Sequence, residues 1–195
     1  MLGKLQQYRI ILASLSPRRQ QLMSQLGLNV TFAGGEVDET FPADLSHEET
    51  AIYLARKKAT HFASLIDGPQ TLLVTADTLV SINGRILNKP ADEAEAREML
   101  RTLSGRMHQV YTGVCIKGQA VEKTFCDRTG VEFKVLSGEE IDYYIRHYHP
   151  LDKAGAYGAQ EWIGYIAIRR IEGSYFNVMG LPVHRLFEEL EKLAH

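Results

Sequence analysis

The sequence has few of the features that mark secreted, membrane-spanning or disulfide-stabilised proteins. Only two of its 195 residues are cysteines, and a disulfide framework needs more of them. Cys115 and Cys126 each lie in a strand-like segment, where we expect small core residues. No apolar run approaches the roughly 18 residues of a membrane span, and the N-terminus lacks the pattern of a signal peptide. We therefore expect a cytoplasmic protein with no membrane partner.

The chain also lacks an excess of positive charge. Its formal net charge is -2 at pH 7, whereas a broad nucleic-acid surface is typically basic. We therefore expect no extended nucleic-acid surface, and phosphate binding only in a local pocket. The hydrophobic content of 45% is ample for one globular domain over residues 1–195, and it leaves room for two lobes.

Several common catalytic motifs are missing. The sequence has no Gly-rich P-loop, no G-x-G-x-x-G after a strand, no H-E-x-x-H and no paired C-x-x-C. It has no G-x-S-x-G nucleophile elbow either. The seven histidines show no metal-ligand spacing. Basic residues and carboxylates remain, and these are the groups used in metal-assisted hydrolysis of a phosphoanhydride.

Strand and helix patterns alternate along the chain. Asn83-Gly84 predicts a hairpin turn between two strands of residues 71–87. Helices interrupt some strands while hairpins join others, so we expect an α/β fold with a mixed twisted sheet and flanking helices. The predicted helices span 16–27, 46–65, 92–104, 137–147 and 183–194, three of them opened by capping boxes (Ser46/Glu49, Asp92/Glu95, Ser137/Glu140). The other predicted strands span 10–13, 108–116, 124–136 and 165–171, and residues 34–44, 150–164 and 172–182 are predicted to be irregular.

Two arginines lie in the first turn of the first predicted helix. Ser16 is a good N-cap and Pro17 suits the first helical position, so Arg18 and Arg19 lie at the positive end of the helix dipole. Cations there are disfavoured by roughly 0.3–1 kcal/mol each. A bound anion reverses this sign, because free N–H groups and guanidinium groups both donate to phosphate. The segment is therefore either a solvated arginine pair or a phosphate site.

One carboxylate interrupts a run that is otherwise apolar. Asp77 lies within LLVTADTLV, where an unpaired ionised carboxylate costs several kcal/mol. Asp77 must therefore be paired, hydrogen-bonded or bound to a metal. It is either a structural aspartate or a metal ligand or general base.

Lysines and a pair of loop acids are further candidates. Lys89 follows the hairpin and lies in the same sheet region as Asp77. Lys58 shares the interior-facing periodicity of its helix, whereas its neighbours Arg56 and Lys57 are expected to be solvated. Asp38 and Glu39 offer oxygen ligands, which suit Mg²⁺ or Mn²⁺ better than zinc. Taken alone, such surface lysines and loop acids are more often simply solvated.

Eight segments, taken together and in order, resemble the signature segments of the Maf nucleoside triphosphate pyrophosphatases. The resemblance extends from residue 10 to about residue 190. Its most specific part is an S-x-S-P-R-R followed in register by A-D-T, K-P and K-A-G-A-Y-G. The segments are LASLSPRRQQLM, EVDE, ARKKA, TADTLV, ILNKPAD, MLRTLSGRMHQVYTGV, PLDKAGAYGAQ and IEGSYFNVMGLP.

This resemblance implies a fold and an activity. The implied fold is related to the inosine triphosphate pyrophosphatases, with a mixed sheet, two lobes around a cleft and commonly a homodimer. The implied reaction is hydrolysis between the α and β phosphates of a nucleoside triphosphate, which gives the monophosphate and pyrophosphate. A divalent cation, Mg²⁺ or Mn²⁺, is implied as cofactor. The implied role is house-cleaning of nucleotide pools, including modified pyrimidine nucleotides.

The resemblance also implies the site residues. Asp77 matches the acid that is proposed to activate water, and Glu39 matches the acid near the metal, so both are expected as metal ligands. The expected phosphate-binding residues are Ser14, Arg18, Arg19, Lys58 and Lys89.

Positions that separate the family's substrate groups are occupied here by Arg18, Thr78 and Gln160, which resemble the dTTP/UTP branch. A glutamine amide is able to meet the O4 and N3–H edge of uracil or thymine. The sequence departs from the family after this glutamine, where relatives usually have glycine and this chain has Glu161 and Trp162.

Alternatives to this function stay open at the level of sequence. One is a nucleotide-binding regulator without enzymatic activity, for example in septum formation. Another is a pyrophosphatase that prefers modified purine nucleotides such as 7-methyl-GTP.

Overall fold

The computed structural model describes residues 3–193. Alternating strands and helices follow from the alternating hydrophobic patterns of the sequence. The strands are β1 (Arg9–Ala13), β2 (Val30–Ala33), β3 (Thr71–Ile82), β4 (Arg85–Leu87), β5 (Met107–Lys117), β6 (Glu122–Phe133) and β7 (Ile168–Glu172). The α-helices are α1 (Pro17–Ser24), α2 (His47–His61), α3 (Glu93–Leu103), α4 (Gly138–Tyr148), α5 (Trp162–Ala167), α6 (Tyr175–Val178) and α7 (Val183–Leu193), with 3₁₀ turns at Leu5–Gln7, Ala63–Leu65, Pro150–Asp152 and Ala154–Ala156.

The strands form one seven-stranded mixed sheet. Its order is β2-β1-β3-β5-β6-β7, and β4 pairs with β3. Strand β1 runs parallel to both β2 and β3, whereas β4 is antiparallel to β3 and β7 is antiparallel to β6. The predicted α/β class and mixed sheet are therefore confirmed.

The first of two compact units contains the described parts of Met1–Asp77, Thr112–Asp127 and Gly180–His195. Part of its core lies between β1, β3, β5 and α2. Gly113 of β5 approaches α2 so closely that a Cβ there would lie 2.2 Å from the carbonyl group of Ala51. Only glycine therefore permits this packing of α2 on the sheet. This core cluster contains Ile11, Ala13, Ala55, Ala59, Leu73 and Cys115.

The second unit contains Thr78–Tyr111 and Arg128–Met179. Its core is built from β3 to β6, α3, α4 and α5. The largest fully buried side chains in it are Tyr144, Phe133, Leu100, Leu103 and Ile141.

Most local predictions agree with the structure. Asn83 and Gly84 both have positive φ, 51° and 76°, as a two-residue hairpin turn requires. The capping boxes at Ser46 and Ser137 are both present. At α3, Asp92 accepts a hydrogen bond from Glu95 N, but the Glu95 side chain accepts from Ala91 N at 2.7 Å. The third capping box is therefore only half formed.

Several elements differ from the sequence prediction. Helix α1 ends at Ser24, and Gly27 takes a positive φ of 69° in the turn beyond it. Strand β2 was not predicted, because its residues are half-buried or exposed and show no apolar run. Residues 165–167 belong to α5 and not to a strand, and the predicted irregular segments contain α5, α6 and two 3₁₀ turns. Short apolar runs do not distinguish a strand from a helical turn, which explains the error at α5.

Candidate active site

The turn between β1 and the N-terminus of α1 carries three of the five predicted phosphate-binding residues, namely Ser14, Arg18 and Arg19. The Ser16 hydroxyl caps the helix by accepting from Arg19 N at 3.5 Å. The buried Ser14 hydroxyl accepts from Ser16 N at 3.2 Å, and the Ser14 carbonyl accepts from the Gln20 amide at 2.9 Å. These bonds fix the turn between β1 and α1, so its backbone N–H groups point in a defined direction.

Arg19 is held by a contact from a distant part of the chain. Its Nε donates to the carbonyl oxygen of Gly180 at 2.8 Å. Burial lowers the pKa of the Arg19 guanidinium, the charges of Asp77 and Glu39 raise it, and Arg18 lowers it. Arg19 therefore lies within electrostatic range of Arg18, Glu39 and Asp77.

Two carboxylates converge on one lysine at the end of this cluster. Lys58 Nζ donates to Glu39 Oε1 at 2.8 Å and also to Asp77 Oδ1. Asp77 is only 6% exposed, so this ion pair compensates a charge that burial would otherwise disfavour. Of the three predicted ways to compensate Asp77, namely pairing, hydrogen bonding or metal binding, the structure shows a hydrogen-bonded ion pair.

Packing of α2 on β3 sets this geometry. The buried Thr75 hydroxyl donates to the carbonyl oxygen of Ala55 at 2.7 Å. That bond joins the strand two residues before Asp77 to the helix three residues before Lys58. The lysine and the aspartate therefore meet because both elements are fixed in register.

A second lysine holds the loop that carries Glu39. Lys57 Nζ donates to Asp38 Oδ2 at 2.7 Å and to the carbonyl oxygen of Thr40 at 3.0 Å. The hydrogen bond from Lys57, followed by that from the Thr40 hydroxyl, lowers the pKa of Asp38 to about 2. Lys57 was expected to be solvated, and its side chain is 28% exposed but also paired with Asp38. Two adjacent lysines, Lys57 and Lys58, bond two adjacent acids, Asp38 and Glu39. This matching order of charges is the signal in the sequence that could have predicted the pairing of Lys57.

The donor set around Asp77 fits a divalent cation. Glu39 and Asp77 direct carboxylate oxygens towards one point, which Lys58 Nζ occupies in this structure. Residues 3–193 contain no group of three or more His, Cys, Asp or Glu side chains arranged to hold a metal. A site of two carboxylates agrees with Mg²⁺, which is commonly bound by one or two carboxylates together with substrate phosphates and water.

The remaining predicted residues, Thr78, Lys89 and Gln160, lie in the second unit. Lys89 is exposed in the segment after β4, and the carbonyl oxygen of the preceding Asn88 accepts from Gly155 N at 3.2 Å. Gln160 Oε1 is buried and has no hydrogen-bond partner among the described residues. A buried amide oxygen without a partner is costly, and such an atom is uncommon in a folded protein.

Comparisons with known proteins identify the fold and the family of this chain. The structure resembles that of the Staphylococcus aureus Ham1 protein with a TM-score of 0.51 and 19% sequence identity, over 94% of this chain and 99% of that chain. This likeness shows the fold. The Maf-like protein family matches residues 9–193, and the chain belongs to that family.

Curated relatives cover almost the whole chain. A Bacteroides thetaiotaomicron protein named "dTTP/UTP pyrophosphatase" is 53% identical over 194 residues, 99% of this chain and 100% of that protein. A Porphyromonas gingivalis protein of the same name is 54% identical over 195 residues, 98% of this chain and 97% of that protein. Within residues 3–193, no helix combines the length and apolar character needed to cross a membrane.

Proposed function

We propose that this protein hydrolyses dTTP and UTP to the nucleoside monophosphate and pyrophosphate. The names of the relatives at 53% and 54% identity support the substrates. The observation that carries the chemistry is the shared bonding of Lys58 to Glu39 and Asp77 beside the arginines of α1.

Binding of the triphosphate is assigned to the cationic groups. Arg18 and Arg19, with the first N–H groups of α1, donate to phosphate oxygens at the positive end of the helix dipole. Ser14 stabilises the turn that presents them. Lys58 and Lys89 supply the other positive charges. Together these groups orient the chain of phosphates and neutralise charge on the leaving pyrophosphate.

Activation of water is assigned to Asp77. Its carboxylate accepts a proton from a water molecule as the water oxygen attacks the α-phosphorus. The bond from the α-phosphorus to the α,β-bridging oxygen then breaks, and pyrophosphate leaves. Glu39 and Asp77 would hold Mg²⁺ or Mn²⁺, which when bound polarises phosphate oxygens and lowers the pKa of a coordinated water.

Recognition of the base is assigned to Gln160, with Arg18 and Thr78 as the other specificity residues. The Gln160 amide has both a donor and an acceptor, which match O4 and N3–H of uracil or thymine. Its buried and unpartnered Oε1 supports this role. Cytosine presents the opposite pattern at these positions, so CTP should be a poorer substrate.

The experiment is a pyrophosphate-release assay with dTTP, UTP, CTP, the purine triphosphates and 7-methyl-GTP. Each substrate is tested with Mg²⁺, with Mn²⁺ and with excess chelator. Hydrolysis of UTP in ¹⁸O-labelled water shows which product gains the label, and we expect it in the monophosphate.

The outcomes separate the open alternatives. Turnover of dTTP and UTP that requires metal supports the proposal. A preference for 7-methyl-GTP or another purine nucleotide would overturn the assignment of uracil and thymine as the preferred bases, but not the assignment of hydrolase activity. A folded protein that binds but does not hydrolyse any triphosphate would favour a regulator. The cytoplasmic location, the homodimer and the single domain over residues 1–195 stay predictions.

A further inference from the structure

The residue that follows Gln160 belongs to a buried network which the proposed mechanism does not use. Glu161 accepts from Lys153 Nζ at 3.1 Å through Oε1 and from the Tyr144 hydroxyl through Oε2. Lys153 also pairs with Asp152 at 2.6 Å. Tyr144 is fully buried and the Lys153 side chain is only 7% exposed. The network therefore joins α4 to the segment that carries Gln160.

Gln160 lies within a tight turn whose two ends are tied to this network. Glu161 N donates to the carbonyl oxygen of Gly158 at 3.0 Å and closes the turn. Gly158 N donates to the Tyr144 hydroxyl at 3.0 Å. The same hydroxyl thus accepts from one end of the turn and donates to the side chain at the other end. The two residues between these ends are Ala159 and Gln160.

The geometry leaves little freedom for the turn. A Cβ at Gly158 would lie 2.7 Å from the carboxyl carbon of Glu161, so the carboxylate lies directly over the glycine. Glu161 also begins α5, because its carbonyl oxygen accepts from Gly164 N at 2.8 Å. Burial, followed by the bond to Glu161, raises the pKa of Tyr144, so the hydroxyl keeps its proton and can donate.

We infer that Glu161, Tyr144 and Lys153 are positioning residues for base selection, because they hold the turn that directs the Gln160 amide. This inference rests on the proposed function and adds residues which do not themselves touch the base. Loss of the network loosens Gln160 and weakens its contact with the O4 and N3–H edge. CTP does not present that edge, so its turnover is affected less.

The test is the ratio of kcat/KM for UTP to kcat/KM for CTP. A change that merely unfolds part of the sample lowers the active fraction for both substrates equally, so the ratio does not move. The variants are Tyr144→Phe, which removes one oxygen atom, Glu161→Gln, which keeps the shape but removes the charge, and Lys153→Met. The matched control is Tyr143→Phe, since Tyr143 is the adjacent, exposed tyrosine.

We expect Tyr144→Phe and Glu161→Gln each to lower the UTP-to-CTP ratio by about tenfold, the equivalent of one well-formed hydrogen bond. The kcat for CTP and the ratio for Tyr143→Phe should stay near wild type. Gly158→Ala should lower the ratio as well, because its Cβ displaces the Glu161 carboxylate.

A ratio unchanged from wild type in both Tyr144→Phe and Glu161→Gln would overturn the inference while leaving the proposed function intact. Equal losses for UTP and CTP would also overturn it, since they indicate a structural role only. If the wild-type protein does not hydrolyse UTP in the same assay, it is the proposed function that fails.

Discussion

Lys58 of α2 and Asp77 of β3 form a hydrogen-bonded ion pair whose side chains are 14% and 9% exposed. Removal of one partner from such a pair leaves a poorly solvated charge on the other, which costs more than the pair itself contributes. The same two residues stand at the centre of the candidate active site. Single and double substitutions of Lys58 and Asp77 therefore test separately what the pair contributes to stability and what Asp77 contributes to activity.

For stability, we expect Lys58→Met to lower the free energy of unfolding by about 3–5 kcal/mol, because Asp77 loses its compensating charge. The double variant Lys58→Met/Asp77→Asn should recover much of this loss. Urea unfolding at neutral pH without metal measures both. A double variant that is no more stable than Lys58→Met would show that the charge of Asp77 is not the cause.

For activity, Asp77→Asn keeps the size of the side chain but removes the proposed general base. We expect kcat for UTP to fall by about 10²–10⁴, the range typical of a lost general base. Pyrophosphate release measures it, and a near-native thermal transition shows that the variant is folded. The Asp38→Asn variant serves as a comparison and should lose less, since Asp38 of the loop accepts a hydrogen bond from Lys57, whereas Asp77 is the proposed base. Equal losses in both variants would contradict this assignment.

Acid should destabilise the protein through His108. This ring is buried, its Nε2 lies 2.8 Å from the Tyr157 hydroxyl, and burial lowers its pKa to about 4. Between the ordinary pKa of about 6.5 and this value, only the unfolded chain binds the proton, so stability falls as pH falls. The neutral His108 ring contributes about 3 kcal/mol to the free energy of unfolding above pH 6.5, and this contribution is lost by pH 4.

The measurement for His108 is urea unfolding at pH 7.5 and pH 5. The His108→Gln variant should show a smaller difference between the two pH values than wild type. The exposed His184→Gln is the control and should keep the wild-type dependence. A wild-type difference that survives in His108→Gln would assign it to other groups.

Neither cysteine should react in the native protein. Burial is the main reason why the pKa of Cys115 is raised to about 11 and that of Cys126 to about 12. Because only the thiolate is nucleophilic, both thiols are unreactive at neutral pH. We expect slow labelling by a disulfide reagent at pH 8 and rapid labelling of both thiols in denaturant. Rapid native labelling with loss of activity would instead indicate an accessible thiol in the site.

Gly113→Ala should destabilise the first unit strongly, by about 3 kcal/mol or more, because its Cβ meets the backbone of α2 and not a movable side chain. Gly68→Ala is the matched control in the same unit, since nothing lies within 4 Å of its Cβ. Thermal unfolding of both variants tests this. Since α2 carries Lys58, the Gly113→Ala protein that remains folded should also have reduced activity. Similar stability of the Gly113→Ala and Gly68→Ala variants would contradict the packing argument.

The sequence by itself determined the features that depend on neighbouring residues. Ser16 caps α1, Ser46 and Ser137 open capping boxes, and Asn83-Gly84 forms the hairpin turn, because each involves contacts over two to four residues. The need to compensate the charge of Asp77 was likewise predictable, because the sequence alone shows that this carboxylate lies in an apolar strand.

Tertiary structure alone decided which partners these residues find. Lys58 reaches Asp77 across 19 residues of sequence, Arg19 reaches Gly180 across 161, and no local pattern encodes such distances. The same holds for α5, whose residues are also compatible with a strand until Glu161 is fixed by Tyr144 and Lys153. Local hydrogen bonds set the elements, whereas packing between distant segments selected the pairs of charges that make the site.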